Sequence, residues 1–326
     1  MSHSEQRPDT HGDSIASPLW TAEAHLTILS APHRTVPIER ILLPLDLSPY
    51  SERAIPYAVA LAQATNASMT LAHVADADSA HPRSVSLPAA TAYLTTIRET
   101  LLGDAEQHIA MRIIRGSDVA EALDELAKLT QSAVVTLATH ARQGIEQPLL
   151  GKVGDYLIRR GSASVLLVPP KLEPQQSPPT FRRILAPLDG SLLAERALEP
   201  VLTLARQARE PMEIVLFIVG ETRDARDDGL RYVTAVRAAL LQEDLSDGTR
   251  IFAVSVIGSP PGAIVGAATH GIATVTRADE SFDLVVMATH GRGGLQRWLY
   301  GSVAAYVIPR LTIPALLVPP KAEHAA

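Results

Sequence analysis

The sequence predicts an α/β protein built from two tandem five-stranded parallel-sheet sandwiches of the Rossmann-like type. Short, almost continuously apolar segments alternate with helical segments, as expected for buried parallel strands joined by crossover helices. Residues 183–189 (RILAPLD) repeat residues 40–46 (RILLPLD) at a spacing of 143 residues, and residues 138–140 (ATH) and 168–171 (VPPK) recur 150 residues later. A period of this size indicates two copies of one domain.

Each copy predicts five strands separated by helices. The first strand, 40–46 or 183–189, precedes a serine, Ser48 or Ser191, that is a typical helix N-cap, and the first copy then continues as an alanine-rich helix to about residue 63. The later strands are predicted at 68–74, 108–114, 133–138 and 164–168, and at 213–219, 250–257, 283–288 and 315–318. Further helices are predicted at 88–102 and 119–129, and at 229–245, 262–269 and 302–308.

The domain organisation follows from this repeat. Residues 1–37 are polar and are expected to be a largely disordered tail, and residues 38–170 are predicted to form the first domain. Residues 171–180 are a proline-rich linker, which cannot enter a helix or a central strand, and residues 181–320 form the second domain. Residues 321–326 are a short tail, and the second copy has extra residues at about 272–281 that predict no function.

Composition excludes several classes of function. The net charge is −6 and no run of Lys or Arg stands out, so a nucleic-acid partner is not expected. The chain has no cysteine, which rules out disulfides and thiolate metal sites. The apolar runs are strand-sized and the N-terminus has no signal pattern, so neither a membrane nor secretion is predicted. We expect a cytoplasmic protein.

A possible anion site lies late in the chain. The predicted strand 283–288 leads into residues 290–294 (HGRGG), and a helix follows Gly301 and Ser302. A strand, a glycine-rich turn and a helix start are the parts of a backbone phosphate cradle. Ser302 is a candidate N-cap and Arg292 a candidate cation. The spacing fits neither a dinucleotide fingerprint nor a Walker loop, and a glycine-rich turn with no ligand would produce the same pattern.

The predicted topology brings three parts of the second copy together. Asp189 ends the first strand, Val219 ends the second, and the glycine loop follows the fourth. Ligands of open parallel sheets bind beyond the carboxyl ends of the strands, where the connections change direction. We therefore expect these residues to line one crevice.

The motifs 183–191 (RILAPLDGS), 258–261 (GSPP) and 287–294 (MATHGRGG), followed by Gly301 and Ser302, resemble the universal stress protein family. The resemblance covers both copies, so the chain resembles a tandem member. It implies an adenine nucleotide alpha hydrolase-like sheet and ATP held by a Gly-x2-Gly-x9-Gly-Ser/Thr pattern, with Mg²⁺ as the ion that could accompany it. In the second copy this pattern falls on Ala288, Gly291, Gly301 and Ser302.

The resemblance also implies a role for each site residue. Asp189 and Val219 would lie beside the adenosine. For Asp189 a second interpretation stays open, in which its carboxylate binds only the backbone amides of the next turn. The residues expected to contact phosphate are Arg292, Gly293, Gly294, Ser302 and Val303.

The first copy departs from the pattern. Ala141 stands where the second glycine is expected, and Lys152 replaces the serine. We therefore expect a degenerate site in the first copy and one ATP per chain, bound in the second.

Two further expectations concern assembly and metals. The apolar fifth strands are expected to pair with each other inside the chain as a pseudo-dimer, and a homodimer is a further possibility. His140, His290 and His270 are not part of any metal-ligand motif, so structural roles are favoured and no metal site is predicted.

These features favour an ATP-binding stress-response regulator. No general base or arginine finger stands out, so the chain is not expected to be an enzyme beyond slow ATP hydrolysis. The alternative is an interaction or dimerisation module of the same fold that binds no nucleotide.

Overall fold

The computed structural model describes residues 37–76, 85–101, 108–139, 151–170, 178–275, 281–289 and 301–320. The first half contains strands β1 (Arg40–Pro44), β2 (Ser68–Asp76), β3 (Ile109–Gly116), β4 (Val134–Ala138) and β5 (Ser164–Val168). Its helices are α1 (Pro49–Glu52), α2 (Ile55–Thr65), α3 (Leu87–Leu101), α4 (Val119–Leu129) and α5 (Gly151–Arg160).

The second half has the same order of elements. Its strands are β6 (Arg183–Pro187), β7 (Glu213–Gly220), β8 (Arg250–Ile257), β9 (Leu284–Ala288) and β10 (Ala315–Val318). Its helices are α6 (Leu192–Glu195), α7 (Leu198–Gln207), α8 (Arg223–Leu240), α9 (Pro260–His270) and α10 (Ser302–Val307), which continues as a 3₁₀ helix (Ile308–Arg310).

These strands form one ten-stranded sheet in the order β3-β2-β1-β4-β5-β10-β9-β6-β7-β8. Within each half every recorded pairing is parallel. The halves join through β5 and β10, which are antiparallel with Leu166 opposite Leu316. The predicted fold class is confirmed, and so is the predicted pairing of the two fifth strands within the chain.

The antiparallel junction fixes the direction of each half. All strands of one half point the same way, and the two halves point in opposite directions. The carboxyl ends of the first half's strands therefore lie at one edge of the sheet, and those of the second half at the other.

A hydrophobic core covers each face of the sheet and runs across both halves. On one face it includes Leu61 and Leu94 from the first half and Val201 and Val233 from the second. Helices α2 and α7 pack against each other on this face, across the junction. The other face is covered by α4, α5, α9 and α10. Because both cores are shared, the halves are stabilised by each other's apolar surface.

Two helix predictions differ from the structure. The predicted helix 48–63 is interrupted after Glu52 and restarts at Ile55. Pro56 lies in the first turn of α2 and has no N–H to donate to the carbonyl of Glu52, so a continuous helix would lose a hydrogen bond there. The helix predicted to begin at Gly229 begins at Arg223, where the Thr222 side chain accepts a hydrogen bond from the Ala225 amide.

Candidate functional site

Three neighbouring strands supply the candidate site at the carboxyl edge of the second half. Strand β6 lies between β7 and β9, and Leu185 is in register with Val285 of β9. Asp189 follows β6, Val219 is the penultimate residue of β7, and Ala288 is the last residue of β9. All three are partly exposed. The structure thus places them at one edge, where the crossovers run to opposite sides of β6.

A tight turn orients Asp189. Its Oδ1 accepts hydrogen bonds from the Ser191 amide at 2.9 Å and from the Ser191 hydroxyl at 2.6 Å. Gly190 between them has φ of 77°, a left-handed conformation that favours glycine. Ser191 Oγ in turn accepts from the Ala194 amide at 3.1 Å and caps α6. The sequence suggested that the Asp189 carboxylate could bind the backbone of the next turn, and this hydrogen bond is present. It fixes the direction of the carboxylate.

The glycine-rich loop is closed at its base. The amide of Thr289, a residue with 0% exposure, donates to the Val318 carbonyl at 3.0 Å. The Thr289 carbonyl accepts from the Gly301 amide, also at 3.0 Å. Thr289 and Gly301, the described residues on either side of 290–300, are thus hydrogen-bonded to each other beside β9. Gly291, Arg292, Gly293 and Gly294 lie outside the described residues.

The N-cap predicted for the helix after this loop is wrong by one residue. The cap is Gly301, with φ of −53° and ψ of 143°, and Ser302 is the first helical residue. No side chain caps this helix. Since the N-cap side chain must lie outside the helix to reach back to its amides, Ser302 is placed too late to do so. Ser302 is exposed and Val303 is partly exposed at the same edge.

The first half keeps the aspartate turn. Asp46 Oδ1 accepts from the Ser48 amide at 3.0 Å and the Ser48 hydroxyl at 2.5 Å, as Asp189 does from Ser191. Leu47, in the place of Gly190, has φ of 64°. This part of the fold is therefore common to both halves.

The loop base differs between the halves. Gly151, the counterpart of Gly301, is the first residue of α5 and has φ of 68°, whereas Gly301 has φ of −53° and precedes α10. Lys152, which follows it, is exposed. Ala141 lies outside the described residues. The backbone entering the helix thus differs at a glycine that both halves keep, next to Lys152, where the first copy departs from the pattern.

Sequence reasoning missed a buried contact behind the aspartate turn. The Tyr232 hydroxyl of α8 donates to Glu195 Oε1 of α6 at 2.8 Å. The first half has the same contact, from Tyr93 of α3 to Glu52 of α1 at 2.9 Å. A repeated tyrosine in the helix after each second strand is the sequence signal that could have revealed it.

The described residues contain no group of three His, Asp or Glu side chains arranged to hold a metal ion. His270 is the last residue of α9, whereas His140 and His290 lie outside the described residues. No helix in the described part of the chain is both long and apolar enough to cross a membrane.

Known proteins match the whole of this architecture. The family model described as "Universal stress protein family" matches residues 37–169 and 180–319. A universal stress protein of Mycolicibacterium smegmatis is 25% identical over 307 residues, which covers 86% of this chain and 97% of that protein.

Solved structures match as well. The crystal structure of a universal stress protein from Archaeoglobus fulgidus has a TM-score of 0.64 at 17% identity and covers 86% of this chain and 98% of that one. A universal stress protein in complex with cAMP is 25% identical, with a TM-score of 0.33, and covers 40% of this chain and 97% of that one.

The fold and the edge site define a tandem α/β protein of the open parallel-sheet class, with its candidate site at a switch point of the second half. The chain belongs to the universal stress protein family, and each half matches the family model once.

Proposed function

We propose that this protein is a nucleotide-dependent stress-response regulator that binds ATP at the carboxyl edge of its second half. One observation carries the proposal. Asp189, Val219 and the loop base at Thr289 and Gly301 all lie at the ends of three adjacent strands, on the side where the connections diverge. That is where open α/β sheets bind ligands.

The residues present fit a nucleotide. Val219 offers a partly exposed apolar side chain for a base, and the Asp189 carboxylate offers an acceptor for ribose hydroxyls.

The segment between Thr289 and Gly301 supplies candidate phosphate contacts. It contains Gly291, Gly293 and Gly294, and a phosphate could approach their amides without a Cβ in the way. Arg292 supplies a cation, and Ser302 and Val303 follow at the loop's return. Mg²⁺, if it accompanies ATP, would be held mainly by phosphate oxygens.

Binding rather than turnover is the proposed activity. Nucleotide occupancy would change the surface presented at this edge. The regulator therefore acts through the difference between its bound and unbound surfaces.

The second candidate function is an interaction module that binds no nucleotide. It is favoured by the first half, where Gly151 has a different backbone conformation from Gly301 and Lys152 replaces Ser302. The cores that both halves share support this alternative, since a half without a ligand would still contribute to packing.

Calorimetric titration with ATP separates these functions. We expect one site per chain for the unmodified protein. Gly291→Val should abolish binding because a branched side chain enters the space needed by phosphate, while leaving the unfolding temperature unchanged. The matched variant Ala141→Val, at the equivalent position of the first half, should bind as the unmodified protein does. Two equal sites per chain, or no binding by the unmodified protein, would contradict the proposal.

Mass spectrometry of the denatured, freshly purified protein provides an independent check. Co-purified adenine nucleotide is expected from a regulator that holds ATP in the cell. A protein that is free of nucleotide and shows no affinity in the titration would be the interaction module.

A further inference from the structure

The contact between Tyr232 and Glu195 is one of the few polar contacts in the protein's interior. Tyr232 is 8% exposed and Glu195 is 2% exposed, and the phenol oxygen lies 2.8 Å from Glu195 Oε1. A carboxyl group can be buried to this extent only when hydrogen-bond donors replace water. The contact is therefore part of the packed structure, and removing the phenol hydroxyl takes away a donor that the carboxyl group needs.

Glu195 is connected to Asp189 through a short series of hydrogen bonds. The Glu195 amide donates to the Ser191 carbonyl at 3.1 Å. Ser191 also donates to Asp189 Oδ1 through both its amide and its hydroxyl. Glu195 is thus held on one side by the aspartate turn and on the other by Tyr232. Displacing Glu195 would displace the turn that directs the Asp189 carboxylate.

Tyr232 belongs to α8, the helix that follows β7. Helix α8 starts at Arg223, three residues after the end of β7, the strand that carries Val219. The connection is tight, because a Cβ built on Gly220 would lie 2.4 Å from the Arg226 nitrogen. Helix α8 therefore has little freedom to move relative to β7. The Tyr232–Glu195 contact joins the Val219 side of the site to the Asp189 side.

The first half repeats the contact beside its own aspartate turn. Tyr93 donates to Glu52 at 2.9 Å. Burial, followed by the hydrogen bond and charge of Glu52 and then the charge of Asp46, raises the pKa of the Tyr93 phenol. Asp46 is the counterpart of Asp189, so its carboxylate lies within electrostatic reach of the phenol. The same grouping of Asp, Glu and Tyr is built twice in one chain.

We propose, on the basis of the function proposed above, that Tyr232 and Glu195 are positioning residues for the nucleotide site of the second half. They touch no ligand. They hold the 189–195 turn at a fixed distance from β7, so that Asp189 and Val219 face the same adenosine. The mirror contact between Tyr93 and Glu52 stabilises the first half without affecting nucleotide affinity, because that half lacks the glycine pattern.

Paired substitutions test this role. Tyr232→Phe removes the hydroxyl that donates to Glu195 Oε1, and loss of this donor is expected to shift the 189–195 turn. Calorimetric titration should then show a dissociation constant for ATP that is raised about tenfold. Tyr93→Phe removes the equivalent hydroxyl and should leave the dissociation constant within about twofold of the unmodified value. Tyr93→Phe should lose less stability in urea than Tyr232→Phe, because Tyr93 and Glu52 are only half-buried. Equal ATP affinity in the two variants would overturn the proposal.

Glutamate variants provide the conservative comparison. Glu195→Gln retains an acceptor oxygen for the phenol and should keep ATP affinity within about threefold, whereas Glu195→Ala should weaken binding as Tyr232→Phe does. If Glu195→Gln and Glu195→Ala weaken ATP binding equally, the hydrogen bond that residue 195 accepts from Tyr232 does not control ATP affinity. That result would also overturn the proposal.

Hydrogen exchange separates this proposal from the proposed function. The amides of Ser191 and Ala194 are protected by bonds within the turn, and their exchange is measured on the full chain without nucleotide. Tyr232→Phe should accelerate exchange at both. If the unmodified protein binds no ATP, the proposed function fails, whereas faster exchange would still show that Tyr232 holds the 189–195 turn in place. Unchanged exchange would overturn the positioning role in either case.

Discussion

Gly190 and Leu47 occupy equivalent positions in the two halves, and both have left-handed backbones, with φ of 77° and 64° respectively. Each follows the aspartate that ends the first strand of its half. Gly190 adopts the left-handed conformation without strain, because glycine has no Cβ. Leu47 adopts it at a cost in free energy. The turn geometry is therefore required by the fold even where glycine is absent.

This relationship predicts the effect of substitution at Gly190. Gly190→Ala should destabilise the protein by about 1–2 kcal/mol, because a Cβ is disfavoured in the left-handed region. Leu47→Gly should cost less, since relief of strain offsets the greater freedom of the unfolded chain. Urea unfolding measures both. A larger loss for Leu47→Gly would show that the Leu47 side chain, and not backbone strain, governs the turn.

A buried carboxylate joins helix α4 to the end of α5. Asp124 is 3% exposed, and its Oδ1 accepts from the Ser162 amide at 2.8 Å and the Ser162 hydroxyl at 2.9 Å, while Lys128 lies 2.6 Å from Oδ2. Asp124→Ala should cost about 3 kcal/mol because it leaves those donors without their acceptor.

The control for Asp124 is a surface ion pair on α5. Asp155 lies 2.8 Å from Arg159 and is 45% exposed, so Asp155→Ala should change the free energy of unfolding by no more than about 0.5 kcal/mol. Chemical denaturation of both variants compares them directly. Equal losses would mean that the Ser162 contacts contribute little.

The junction between the halves depends on apolar burial. Leu316 of β10 is 0% exposed and lies opposite Leu166 of β5. Leu316→Ala should destabilise the protein by about 3 kcal/mol through lost burial and the resulting cavity. Leu129→Ala, at a side chain that is 82% exposed, should have an effect below about 0.5 kcal/mol. Thermal unfolding should show one transition for Leu316→Ala. Two separated transitions would contradict a shared core.

Asp283 should make stability depend on pH. Burial raises its pKa above the ordinary value of 3.8, although the amides of Arg182 and Arg183, each 2.9 Å from Oδ2, act in the opposite direction. Because the folded state holds the proton more tightly, the group's contribution to stability is present at low pH. It is lost as pH rises through the raised pKa.

The variant Asp283→Asn isolates this contribution, since it keeps an acceptor oxygen and does not titrate. The stability of the unmodified protein relative to Asp283→Asn should fall as pH rises from about 4. Urea unfolding at successive pH values measures the difference. A difference that grows with pH would mean that the two amide hydrogen bonds outweigh burial.

Most strands could be predicted because each apolar run is short and bounded. The predicted ranges for β5, β8 and β10 agree with the structure, as does the range of α4, which Asp118 caps. The start of α8 was misjudged because Gly229 reads as a boundary. In the structure a Cβ at Gly229 would lie 3.0 Å from Ile218 Cγ2, so this glycine allows the helix to approach the sheet. Such a contact between distant residues has no local sequence signal.

The candidate site was predictable in part. The predicted parallel strands placed Asp189, Val219 and the start of the glycine loop at one edge, since parallel strands share their carboxyl ends, and the observed strand order puts the three strands side by side. The cap at Gly301 was missed by one residue because both Gly and Ser are common at helix starts. The Tyr232–Glu195 contact joins residues 37 positions apart and depends on how α8 lies over α6. Only the folded packing reveals it.

The antiparallel pairing of β5 with β10 gives the molecule two unlike poles. Asp46 and Lys152 belong to one pole, and Asp189 and Ser302 to the other, with the width of the sheet between them. The two aspartate turns therefore lie at opposite ends of the strands, so a substitution in one turn changes its own pole without touching the residues of the other.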